Sequence, residues 1–278
     1  MQQALEQVDI TAKHTAKPGQ PRCSGFARPH RHSTFSQRAL YTFSCLFRRG
    51  LTGLIFLATA ASARASGECV VLIHGWGQWS NSMAEMEEKL SQAGLAAFTI
   101  NYPSLRAPIE DLAEEAVPRG VDSCREIGAL RIHFVGHSMG GLMIRLYLRD
   151  HRLPELGRVV MLGTPNQGTQ LVDRFDGLPG FGLLGPARQL GTGPEAIVRQ
   201  LPPVDFDLGV IAGKRSINPL SPVLIDGADD GLVSVESTRV EGMRQHIILP
   251  AIHNTMPRNN RVIDHTIHYL KLGNFIPE

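Results

Sequence analysis

The sequence predicts an α/β domain: a mostly parallel central sheet with helices on both faces, and a short cap or lid insertion around 170–204. Three observations predict it. From residue 69 onwards, apolar strand-like runs alternate with stretches of helical period, the pattern of parallel strands joined by helical crossovers. The run Leu130–His137 leads as an apolar strand into Gly136-His-Ser-Met-Gly140, and Gly140–Arg149 leaves it with helical spacing. Finally, a Gly- and Pro-rich stretch, Gly177-Leu-Pro-Gly-Phe-Gly-Leu-Leu-Gly-Pro186, separates two of the core strands.

Taken in order, strands are expected near 69–74, 96–101, 131–137, 158–163, 207–213 and 245–249. Helices are expected near 80–93, 107–117, 140–151 and 260–270. Met83, Met86, Leu90 and Ala93 recur at helical spacing and read most simply as a core face. No internal repeat stands out, and the roughly 210 residues involved suit a single domain.

The junction at 136–140 carries the chemistry. Gly-x-Ser-x-Gly between a strand and a helix is a turn so tight that its serine is lifted above the sheet edge, where a base and a substrate can both reach it. Chance placement in a chain with 28 glycines does not supply the flanking strand and helix as well. Ser138 is therefore the candidate nucleophile. Such a serine needs a base, and the base an orienting carboxylate, here expected in the order serine, acid, histidine in loops after later strands.

His253 follows the short apolar strand Gln245–Pro250 at once and precedes the last helix, which is where a base belongs. The acid is one of Asp226, Asp229 and Asp230. Asp230 is chosen because Asp-Gly-Leu-Val places it at a tight turn facing the sheet, with Asp229 as the fallback; adjacent acids in a loop are otherwise ordinary turn residues. Among the other histidines, His265 and His268 read as surface residues of the last helix, His133 as a core histidine, and His137 as the variable position flooring the elbow. For the oxyanion, Cys69–His74 is a strand ending in His-Gly-Trp-Gly. That loop assigns one backbone N–H to Trp76, and the residue after the nucleophile assigns the other to Met139.

The segments Leu72-Ile-His-Gly-Trp-Gly77, Asn101-Tyr-Pro-Ser104, His133-Phe-Val-Gly-His-Ser-Met-Gly-Gly141, Leu162-Gly-Thr-Pro-Asn-Gln-Gly168, Asp230-Gly-Leu-Val233 and His253-Asn-Thr-Met-Pro-Arg-Asn259 together resemble the α/β-hydrolase superfamily, in its bacterial lipase/esterase branch. The resemblance covers 69–272. It implies the α/β-hydrolase fold and a secreted serine hydrolase cleaving carboxylic esters through an acyl-enzyme, with Ser138, Asp230 and His253 as triad. Thioesterase, phospholipase and amidase activities share that mechanism and stay open. A non-catalytic lipid- or partner-binding module on the same fold is the reading from a different class.

Residues 48–65 have a basic start, an apolar middle from Leu51 to Ala61 and an Ala-Arg-Ala ending, the pattern of a secretory signal cut after about Ala65. The apolar stretch is too short to span a bilayer, which takes about twenty residues. Residues 1–47 are polar and aperiodic, a disordered extension or a leader translated from too early a start; no nucleic-acid-binding fold accompanies their basic residues. The hydrolase domain is then 66–278, expected to be exported to the periplasm or beyond.

Cleavage reverses the charge. The first 65 residues hold nine of the 28 Lys and Arg and two of the 26 Asp and Glu, leaving 19 bases against 24 acids, a net −5 in place of +2. Cys69 and Cys124 remain, either as a disulfide stapling neighbouring core strands or as two buried thiols. No metal-ligand spacing, phosphate loop or dinucleotide fingerprint occurs, so no metal and no cofactor are expected. Long loops in compact domains are commonly functional, and Phe175, Leu178, Phe181, Leu183 and Leu184 are assigned to an acyl-binding lid; a loop simply packed over the sheet edge is the plainer alternative. The partner expected is an acyl ester or lipid, with peripheral contact to membrane lipid left open, no nucleic acid, and a monomeric chain.

Overall fold

In a computed structural model, residues 67–181 and 185–277 are described here. Six strands form one sheet, β1 (Glu68–Ile73), β2 (Ala96–Ile100), β3 (Arg131–His137), β4 (Leu156–Leu162), β5 (Leu208–Gly213) and β6 (Gln245–Leu249). Their order across the sheet is β2-β1-β3-β4-β5-β6, and every pairing is parallel. Parallel strands must be covered on both faces, which is why they read as unbroken apolar runs such as Cys-Val-Val-Leu-Ile.

The two faces bury different residues of the same strands. Cys69, Val71 and Ile73 point into one core with α2 (Ile109–Glu126) and α3 (Met139–Asp150). Val70 and Leu72 point into the other, with α1 (Ala84–Gln92) and α6 (Asn260–Leu272). Met83, Met86 and Leu90 lie fully buried in that second core, as their spacing required.

Some expectations need correcting. The second helix does not stop at 117 but runs through Pro118 to Glu126. An internal proline costs about 3 kcal/mol through a lost backbone bond and a steric clash. Here a continuous buried stripe, Leu112, Ala113, Ala116, Val117, Val121 and Cys124, lies on both sides of it, and burial outweighs propensity. Cys69 and Cys124 are joined in a disulfide with Cα atoms 5.7 Å apart. It ties a strand to the last turn of a helix, not strand to strand. His265 is buried, edge-on to Phe275, rather than on the surface. His268 is half-buried and bonds the Asn274 carbonyl at 2.7 Å through Nδ1. His133 is wholly buried in the core, its Nδ1 accepting the Arg158 N–H at 2.8 Å.

The insertion after β4 holds α4 (Gln170–Phe175) and two 3-10 turns, Gly185–Leu190 and Ile197–Gln200; the short α5 (Ser221–Leu224) follows β5. Both ends of the insertion are fixed by Arg145 of α3. Its buried guanidinium donates to the Asn166 side chain (3.0 Å) and carbonyl (3.3 Å), and to the Pro202 carbonyl (3.0 Å). Burial without a carboxylate lowers its pKa to about 10, so it stays charged at neutral pH.

Candidate active site

The strand order reverses between β1 and β3, so the loops leaving their carboxyl ends diverge and open a crevice, the usual ligand position in an open parallel sheet. The elbow stands at this point. Ser138 has φ 53° and ψ −123°, and among the described residues it is the only non-glycine with positive φ. A side chain held there costs of order 1–3 kcal/mol and persists only where the surroundings enforce it. They do: Ser138 N–H bonds the Leu162 carbonyl at 2.9 Å. A Cβ on Gly136 would lie 2.6 Å from Gly141 Cα, and one on Gly140 would lie 2.3 Å from the Ile73 carbonyl oxygen. Strand, helix and β1 touch through those missing side chains.

Three sequence-distant groups converge. His253 Nε2 lies 2.9 Å from Ser138 Oγ, and His253 Nδ1 lies 2.8 Å from Asp230 Oδ2. The second oxygen of the buried Asp230 accepts the N–H groups of Val233 (2.8 Å) and Leu232 (3.1 Å), which fix its orientation. The two alternative acids do other work. Asp229 accepts Gly231 N–H (2.7 Å) and Ser221 Oγ–H (3.0 Å) within its own turn, and Asp226 accepts the Gln170 side-chain amide of α4 at 2.9 Å.

Gly163, at the end of β4, is needed beside this pair. Its φ is 55°, and a Cβ there would lie 2.9 Å from Asp230 Oδ2 and 3.1 Å from His253 Nδ1. The sequence marks it as part of the Leu162-Gly-Thr-Pro-Asn-Gln-Gly168 segment, but gives no sign that it adjoins Asp230 and His253.

His137 underlies His253. Its Nε2 is 3.0 Å from the His253 carbonyl oxygen and its Nδ1 is 3.0 Å from the side-chain amide of Gln78. Burial, reinforced by repulsion from His253, drives its pKa well below the ordinary value, so the ring is neutral and carries one proton. The main-chain carbonyl can only accept, so the proton is assigned to Nε2; Gln78 Oε1, beside Nδ1, accepts the Gly75 N–H at 3.4 Å.

The loop after β1 is braced independently. Tyr102 stacks on His74 at 4.1 Å and its hydroxyl donates to the His74 carbonyl at 2.5 Å, while Ser104 Oγ accepts Gly77 N–H at 3.1 Å. Gly75 and Trp76 line the chamber over Ser138. Met139 is the first residue of α3, so its N–H is among those a helix start leaves without an intrahelical acceptor, at the positive end of the helix dipole.

That chamber, of about 100 Å³, is also lined by Leu171, Val172, Leu190 and Val233. A second apolar cavity of about 220 Å³ shares Trp76, Leu171, Val172 and Leu190 with it and extends to Phe175, Phe181 and Ala187. Phe175 and Phe181 thus lie where a lid was expected to contribute. Leu178 does not: it is 54 % exposed and lines neither cavity. Leu183 and Leu184 fall outside the described residues. Leu171, Val172 and Leu190 were missed because, in sequence, they are ordinary core-type aliphatics.

The profile of the alpha/beta hydrolase family matches residues 70–251, and the chain belongs to that family. Its fold is shared with the mature lipase BlEst2 of Bacillus licheniformis, at TM-score 0.57 and 16 % identity over 75 % of this chain and 92 % of that one. The propeptide form of the same lipase aligns at TM-score 0.64 and 18 % identity over 77 % of this chain, which spans 52 % of its length. Lipase B of Aspergillus fumigatus aligns at TM-score 0.53 and 14 % identity over 75 % of this chain and 53 % of that one. No curated protein matches the sequence.

Proposed function

We propose that this hydrolase cleaves carboxylic esters by a Ser138–His253–Asp230 triad through an acyl-enzyme. The observation that carries the reading is the unbroken relay of 2.9 Å and 2.8 Å contacts from a strained serine to a buried carboxylate. His253 Nε2 takes the hydroxyl proton as Ser138 Oγ attacks the carbonyl carbon. Asp230 holds the imidazole tautomer and stabilises its charged form, and the Trp76 and Met139 amides receive the oxyanion. The tetrahedral adduct collapses, the C–O bond breaks, and His253 protonates the leaving alcohol. Water then repeats the sequence and frees the acid.

The acyl chain occupies the apolar cavities beneath the insertion, since nothing else along the crevice is as free of polar groups. Export to an oxidising compartment fits the buried Cys69–Cys124 disulfide, because cytosolic chains seldom keep such a bond. The test is hydrolysis of short- and medium-chain nitrophenyl esters by the wild-type protein and by Ser138→Ala. Activity in the first, lost by at least about 10³-fold in the second, supports the triad. A folded wild-type protein inert towards every ester and thioester would transfer the weight to a binding module.

A further inference from the structure

Ser138 stands beside an apolar cavity on one side and a more polar, mixed one on the other. The mixed one, of about 480 Å³, is lined by Gly77, Trp79, Asn81, Ser82 and Arg258. It shares Trp76, Gln78, Leu232 and Asn254 with the chamber over the serine, so the two adjoin. An ester whose acyl part fills the apolar cavity must send its leaving group the other way, into this more polar space.

The sole charged side chain lining that space is Arg258. It is solvent-exposed, donates one long bond, 3.4 Å, to the Asn81 carbonyl and makes no ion pair among the described residues. Its position is tied to the base. His253 and Arg258 are the first and last residues of one 3-10 turn, stiffened by Pro257. At about 2 Å of rise per residue the two lie about 10 Å apart along the axis, a span that an arginine side chain and a short phosphoester bridge together. A guanidinium with no carboxylate partner matches phosphate oxygens in bidentate fashion.

We propose that this cavity is a leaving-group subsite for a phosphorylated alcohol or thiol, with Arg258 as the phosphate-binding residue. The proposal rests on the ester-hydrolase reading above. The phosphate is held and not cleaved: the Ser138 Oγ–carbonyl bond forms, the acyl C–O or C–S bond breaks, and the proton passes from His253 to the leaving atom. Two sources carry this chemistry, a glycerophosphate headgroup and the phosphorylated arm of coenzyme A.

The test compares two matched pairs on the full chain below micellar concentration: 1-decanoylglycerol with its 3-phosphate, and S-decanoyl-pantetheine with decanoyl-coenzyme A. Wild type should show kcat/KM about tenfold or more higher for the phosphorylated member of at least one pair. That ratio should shrink about tenfold in Arg258→Gln, be partly kept in Arg258→Lys, and decline with added salt. Preference within the glycerol pair alone points to lipid headgroups, and within the pantetheine pair alone to coenzyme A. Hydrolysis of neutral and phosphorylated members at equal efficiency, or a ratio unmoved by Arg258→Gln, overturns the subsite and leaves the esterase standing. Inertness of wild type on all four and on nitrophenyl esters overturns both.

Discussion

The side chain of His137 holds the main chain of His253: the His253 carbonyl oxygen lies 3.0 Å from the imidazole Nε2 of His137, the residue before Ser138, with the two rings 4.9 Å apart. The elbow and the histidine loop are thereby indexed to one another by a side chain that contacts no reacting atom. His137→Phe should lower kcat by about 10–100-fold with KM little changed, since small misplacements of a base are costly. Steady-state kinetics beside a melting curve would check it. A raised KM with unchanged kcat would mean that the ring merely floors the pocket.

Gly163→Ala adds one methyl group between the Asp230 carboxylate and the His253 ring, at a position whose φ of 55° already disfavours a side chain. About a 100-fold loss of kcat is expected in a protein that still folds. Near-wild-type turnover would show that the acid–base contact tolerates the shift.

Stability should depend on pH through two uncharged histidines. Burial holds His133 and His246 at about 4, against an ordinary 6.5. As pH falls, the unfolded chain takes up these protons near 6.5 and the fold only near 4. Between those values the unfolded state binds more protons, so the contribution of these two is full above about 6.5, falls with pH, and levels off below about 4, while His137, held lower still, extends the fall. Melting temperature across pH 7.5 to 4 reads this out, and His246→Gln should make the slope shallower. A flat profile through that window would contradict the burial of both rings.

The disulfide closes a 55-residue separation, for which the loop-entropy relation gives about 4 kcal/mol. Both sulfurs are inaccessible, so mild reductant should leave the folded protein oxidised. The Cys69→Ala/Cys124→Ala protein should melt markedly lower. Rapid labelling of native thiols after mild reduction would argue against a closed core there.

Val172 lines both apolar cavities. Val172→Trp should block the passage between them and lower the decanoate-to-acetate ratio of kcat/KM by tenfold or more. An unchanged ratio would place the acyl chain elsewhere.

Much of this was legible in the sequence. Strands buried on both faces announce themselves as apolar runs; Ser138 directly follows β3 and His253 closely follows β6, while Asp230 lies in the long loop after β5. The structure brings these three side chains together. What sequence reading missed was set by neighbours distant in the chain. Pro118 is carried inside a helix because residues on both sides are buried against the sheet. Asp229 and Asp230 differ only in which way a turn points them, and Leu178 and Phe181 differ only in the side of a short loop they occupy. Gly163 and Gln78 become meaningful only when His253 and His137 stand beside them.

Arg145 fastens Asn166 and Pro202 to the same point on α3, so the chain between them departs from and returns to one anchor. Changing the length of such a closed excursion costs little, about 0.6 kcal/mol for each doubling. Within that closure the segment is also bonded to the loop that carries Asp230, Thr169 to the Leu232 carbonyl and Gln170 to Asp226. A change of length is absorbed inside that closed excursion, whereas a change at Thr169 or Gln170 is passed straight to the loop that carries Asp230.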